Sequence, residues 1–116
     1  MSDIKIDPII HAPARLTIVL ALAKRPCTDF MALREHCQLT DGNLFGHLAV
    51  LERRQYMIVT KQFVACMPKT SYALSELGYA RLVDYLETLT RVVAIGQSVP
   101  AQHRDHARGR PARAPR

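Results

Sequence analysis

The chain has 116 residues, 48% of them hydrophobic, with a formal net charge of +6 at pH 7. That length supports one domain with a single modest core, and the basic balance points to an anionic partner. The longest apolar run, Ile18 to Ala23, falls far short of the roughly 20 residues that span a bilayer, so no membrane-spanning helix is expected.

The charge is unevenly placed. Residues 1–100 hold 11 Lys/Arg against 9 Asp/Glu, whereas residues 101–116 hold 5 Arg against one Asp. An Arg-rich tail can hold phosphates without reading sequence; the plainer reading is a solubilising disordered end. The three cysteines are Cys27, Cys37 and Cys66. An odd count without a signal-peptide pattern points to a reducing, cytoplasmic setting.

Along the chain, Ile4-Lys5-Ile6-Asp7-Pro8-Ile9-Ile10 is an apolar arm broken by Pro8. Pro13 opens a first helix, since proline is tolerated at a first helical position. Leu16, Val19, Leu20 and Ala23 supply its core face, and Pro26 stops it near Lys24. Thr28 or Asp29 can cap a short second helix with Phe30, Leu33 and Cys37 inward. After a tight link at Gln38-Leu39, Thr40 caps a third helix. There Leu44, Leu48 and Leu51, at i, i+4 and i+7, form one buried stripe. That helix ends near Arg54 or Gln55.

The period then becomes strand-like. Met57 to Lys61 and Thr70 to Leu74 read as two strands, joined through the loop Gln62 to Lys69 into a hairpin. Ser75 caps a last helix from Glu76 to about Ile95. Its Leu82, Leu86, Leu89 and Val93 follow the spacing of a helix-packing seam. Gly96 ends it, and residues 97–116 form a Pro/Arg-rich tail expected to be disordered. The expected class is mostly α with a small β-hairpin (α+β), a winged helix-turn-helix over residues 1–96. Its plan is three helices, a wing and a C-terminal dimerisation helix.

This order resembles small winged helix-turn-helix transcriptional regulators of the MarR/ArsR-like type. The carrying residues are Asp7 to Leu16, then Leu39-Thr40-Asp41-Gly42-Asn43-Leu44 with His47-Leu48 and Leu51-Glu52. Tyr56 and Thr70 to Ser75 with Gly78 complete the set, which spans roughly residues 4–90. The resemblance implies a dimeric protein that binds double-stranded DNA, usually as a repressor. Its third helix enters the major groove and its wing lies along the backbone. The first and last segments build the homodimer, here through Ile4, Ile6, Leu82, Leu86, Leu89 and Val93. Two-fold symmetry then implies a pseudo-palindromic operator.

On that plan the DNA contacts are Thr40, Asp41, Asn43, Phe45, Gly46 and His47 from the third helix. Arg53 and Arg54 reach the backbone, and Lys61, Lys69 and Thr70 act from the wing. Asp41 is also accounted for as a first-turn helix charge. Two departures stand out. Relatives usually place a small polar residue at Phe45 and a basic one at Gly46. Their wing tips often carry paired basic residues, where this chain has Ala65-Cys66-Met67. With so little charge on the reading arc, Asn43 is the candidate for adenine and Phe45, Ala49 or Val50 for thymine methyl groups. A wing this apolar either folds back on the domain or meets a protein. The alternative function is therefore a winged-helix module that regulates a protein partner.

Other chemistry finds little footing. Cys66 at the wing tip, near Lys69, is a candidate oxidant sensor against an incidental surface thiol. Cys27, His36, Cys37 and His47 lack the close spacing of a metal site, and His103 and His106 fall in the tail. No metal or other cofactor is expected. No phosphate loop, carboxylate pair or nucleophile–base spacing suggests an enzyme.

Overall fold

The computed structural model describes residues 4–103. In chain order the elements are α1 (Pro13–Lys24), β1 (Thr28–Asp29), α2 (Phe30–Cys37), α3 (Asp41–Arg53), β2 (Met57–Val64), β3 (Met67–Leu74) and α4 (Glu76–Gly96). The strands form one antiparallel sheet in the order β1-β3-β2. This is the winged helix expected from the sequence, with one strand more.

Local chemistry sets most boundaries. Pro13 begins α1 without a side-chain cap. Of the two cap candidates for α2, Asp29 takes the role, its carboxylate accepting from Ala32 N at 2.8 Å. Thr40 accepts from Asn43 N at 3.1 Å and Ser75 from Gly78 N at 3.0 Å. Such caps each contribute about 1 kcal/mol. Gln38 ends α2 in the left-handed region (φ 54°), and Gln55 turns the chain out of α3 in the same way (φ 66°).

α1 lies at the centre and packs on α2, α3, β3 and α4. Ile18, Val19 and Leu22 are its buried residues, whereas Leu20, expected in the core, is exposed. The segment Thr17 to Ala23 is apolar on every side apart from its first residue, so periodicity could not choose its inward face. The stripe Leu44, Leu48 and Leu51 of α3 is buried as the spacing requires. Each such leucine stabilises the fold by about 1.5–3 kcal/mol.

The hairpin differs from the expected one. What reads as a loop at residues 62–69 is ladder: the pairing runs from Met57↔Leu74 to Val64↔Met67. Only Ala65 and Cys66 remain in the turn, at φ 53° and 65°. Two positive-φ central residues are the mark of a type I′ turn, which normally signals itself by Asn-Gly. The wing does not fold back, since every residue from 60 to 69 is exposed. At the other end of the sheet, Thr28 pairs with Tyr72 and Asp29 with Ser71.

The arm is stitched to the body. Asp7 accepts from Ile9 N at 2.8 Å and from the Tyr56 hydroxyl at 2.6 Å. Burial, reinforced by Asp7, pushes the Tyr56 phenol up to about 12. The His11 ring meets the Tyr85 hydroxyl at 2.8 Å. Ile6 packs against the chain's own core, leaving Ile4 exposed. The α4 seam divides likewise. Leu82 is only 5% exposed and belongs to the same core, with Leu89 half-buried against it. Leu86 and Val93 are 42% and 59% exposed. The four residues expected to meet a partner therefore face two ways, because Tyr85 and Thr88 also turn inward and set the buried face of α4.

Past α4 the chain turns at 97–99 and is helical at 101–103; the rest of the tail, His106 included, lies outside the described residues. Among the described residues no helix is long and apolar enough to cross a membrane.

Candidate nucleic-acid interface

With Leu44, Leu48 and Leu51 inward, α3 turns Gly42, Asn43, Phe45, Gly46, Ala49 and Arg53 to solvent. Thr40 stands at the start of this face with its oxygen committed to the cap. Asp41 is bound by Arg34 Nη1 at 2.8 Å, which ties α3 to α2 across the tight link. An ion pair holding the two helices in register accounts for Asp41 without DNA. The Asn43 side chain has no hydrogen-bond partner among the described residues.

His47 is held from α1. Arg15 donates from Nε to Ile9 O at 2.6 Å, and its Nη1 lies 3.3 Å from His47 Nδ1. A guanidinium has no acceptor, so Nδ1 is the accepting nitrogen and the ring carries its proton on Nε2. Burial, and then the Arg15 charge, lowers the His47 pKa from its ordinary value. His47 thus offers one N–H donor from a fixed tautomer.

Phe45 is 59% exposed, and its ring packs on Phe30 of α2 with centroids 4.5 Å apart and planes tilted by 31°. Such a pair contributes about 0.5–1.5 kcal/mol beyond area burial and holds the Phe45 ring in place. An added Cβ at Gly42 or Gly46 would meet nothing within 4 Å. The surface around Phe45 is therefore open backbone.

Between α3 and the wing runs a groove of about 520 Å³, lined by Phe30, Phe45, Ala49, Val59, Lys61 and Thr70 among others. A second cleft, between α2 and the wing, takes in Met31, Val64, Met67, Lys69 and Thr70. The fold thus brings Phe45, Lys61 and Thr70 around one groove, whereas Lys69, paired with Gln62 on the other face of the ladder, lines the cleft toward α2. Arg54 lies apart, in a cleft of about 420 Å³ with Lys5, Asp7, Tyr56 and Arg81. Phe30 lines the groove and Met31 the second cleft unannounced, and Phe63 stands exposed near the wing tip, where its one sequence signal is its place on an apolar wing.

The cysteines do not converge. Cys27 and Cys66 are exposed, and burial pushes the half-buried Cys37 thiol up. Among the described residues no group of three or more His, Cys, Asp or Glu could hold a metal ion.

Residues 14–93 match the family described as winged helix DNA-binding domain. Among solved structures, the chain is similar to a transcriptional regulator homologue from Pyrococcus horikoshii OT3. That pair shares 30% identity with a TM-score of 0.71, over 78% of this chain and 89% of the other. A candidate transcriptional regulator, ytfH from Salmonella typhimurium, is 24% identical with a TM-score of 0.54, over 77% and 85% of the two chains. A point mutant of ZitR from Lactococcus lactis is 12% identical with a TM-score of 0.54, over 94% and 73%. These last two likenesses are of fold alone. No curated protein matches. With the family matched over most of its length and its helix-turn-helix and wing in place, the chain belongs to the winged-helix DNA-binding domain family.

Proposed function

We propose that this protein is a dimeric, sequence-specific transcriptional regulator of the MarR/ArsR-like type, working in the cytoplasm and repressing from a pseudo-palindromic operator. The observation that carries the reading is the exposed face of α3 beside a free-standing wing, in a chain whose family binds DNA. The likeness to the Pyrococcus horikoshii regulator homologue supports a role in transcription. Asn43 and His47 read bases from one flank of α3 and Phe45 from the other, with Thr40 and Gly46 at the close approach. Lys61, Lys69, Thr70 and Arg53 hold phosphates, which position without specifying. Ile4, Leu86 and Val93, exposed and apolar, supply the dimer contact.

The test is salt-dependent binding of the full chain to duplexes selected from a random pool and to scrambled controls. A preference of about 10³-fold or more is the scale of specific recognition. Asn43→Ala should weaken specific binding more than non-specific binding. Lys69→Ala should weaken both alike and reduce the salt slope by about 1.

A second reading, a module that regulates a protein partner, draws on the exposed Met31, Phe45, Phe63 and Met67. Equal, weak and steeply salt-dependent binding to all duplexes would favour it.

A further inference from the structure

We infer that Phe45 is a specificity-determining residue that selects a thymine in each half-site by burying its C5-methyl group. The inference rests on the proposed function and names what one part of that surface reads.

The argument begins with what an exposed ring can recognise. Guanine and adenine present nitrogen and oxygen acceptors or an amine in the major groove, and cytosine presents an amine. A phenyl ring set against any of these removes water from a polar group and returns no hydrogen bond. Thymine alone among the four bases presents an apolar group there. A ring that enters the groove therefore favours thymine over the other three.

Three features of the structure make Phe45 such a ring. It is 59% exposed on α3, so most of its surface is available. It is already positioned by Phe30 at 4.5 Å, so little side-chain freedom is lost on contact. Gly42, Gly46 and Ala49 surround it on the outward arc, and neither glycine has an atom within 4 Å of a would-be Cβ. Phe45 is thus the large apolar side chain on an arc otherwise made, around it, of Gly42, Gly46 and Ala49. The surrounding charge fits DNA better than an apolar protein surface. Lys61 lines the same groove, where a phosphate beside the methyl group would meet it.

The experiment takes the duplex selected by the full chain and replaces each thymine in turn by deoxyuridine, which removes only the methyl group. Dissociation constants are measured for the wild type and for Phe45→Ala, with circular dichroism confirming that the exposed substitution leaves the fold intact. One thymine per half-site should lose about 3- to 10-fold on replacement, the scale of one buried methyl group. The same replacement should cost Phe45→Ala less than about twofold. Losses within about twofold at every thymine in the wild type, or an equal loss in both proteins, would overturn the inference while leaving the regulator standing. A pool that enriches no sequence would overturn the proposed function, and this reading with it.

Discussion

The same substitution at two helical glycines should act in opposite directions. An ideal Cβ built on Gly78 lies 2.1 Å from Tyr56 O, 3.1 Å from its carbonyl carbon and 3.3 Å from Leu74 Cδ2, whereas on Gly46 it meets nothing within 4 Å. Tyr56 O is fixed, because it accepts from Ser75 N at 3.0 Å. In Gly78→Ala the start of α4 must therefore retreat by about 1 Å, an overpacking that costs about 1–3 kcal/mol. Loss of the Ser75–Tyr56 bond adds about 1 kcal/mol. The expected net destabilisation is about 2–4 kcal/mol, or roughly 10–25 °C in Tm for a domain of this size. Gly46→Ala gains helix propensity without a clash and should stabilise by about 0.5–1 kcal/mol. Urea unfolding followed by circular dichroism measures both. Gly78→Ala within about 0.5 kcal/mol of the wild type would refute the packing at the α3–β2–α4 junction, and with it the placement of the wing relative to α3.

Tyr56 should make stability fall in alkali. Its phenol holds its proton to about 12 in the folded state but to about 10 when unfolded. Stability is therefore whole below pH 10, is lost as pH rises toward 12, and changes no further above that; unfolding curves of Tyr56→Phe should lack this part of the decline. His47 acts at the other end. With its folded pKa lowered by burial and Arg15, the unfolded chain binds the proton first, so its contribution is whole above about pH 6.5. It is lost as pH falls through that value and levels off below the folded pKa. His47→Gln should flatten that limb, and nitrogen NMR of the wild-type ring should report the Nε2–H tautomer, which Arg15→Leu should release. Replacing Ala65-Cys66 by Asn-Gly should raise stability by about 1 kcal/mol, and an unchanged urea midpoint would argue against the type I′ turn.

Much of the fold was legible because it is local. Thr40, Ser75 and Asp29 cap residues three positions on, and Leu44, Leu48 and Leu51 share a stripe through helical geometry alone. The candidate site was legible only in part. Asn43, Phe45, Gly46, Lys61 and Lys69 could be placed on α3 and the wing from their order. The bond from Arg15 to His47 joins residues 32 positions apart, and no pattern in either segment announces it. Helical spacing alone places Phe30 in the core. The structure shows it half-buried and supporting the ring of Phe45.

The sequence by itself determined the order of elements, the caps and the α3 core stripe, because each depends on residues within about a helical turn of one another. Tertiary structure decided the rest. A two-residue strand at Thr28–Asp29 exists only because Ser71 and Tyr72 arrive to pair with it. The wing extends to Val64 and Met67 through an Ala-Cys turn that carries no glycine or asparagine signal. Leu82 turns inward and Leu86 outward on one continuous apolar seam. α4 carries more apolar surface than the fold buries, and only the packing of Tyr85, Thr88 and the arm determines which side stays exposed.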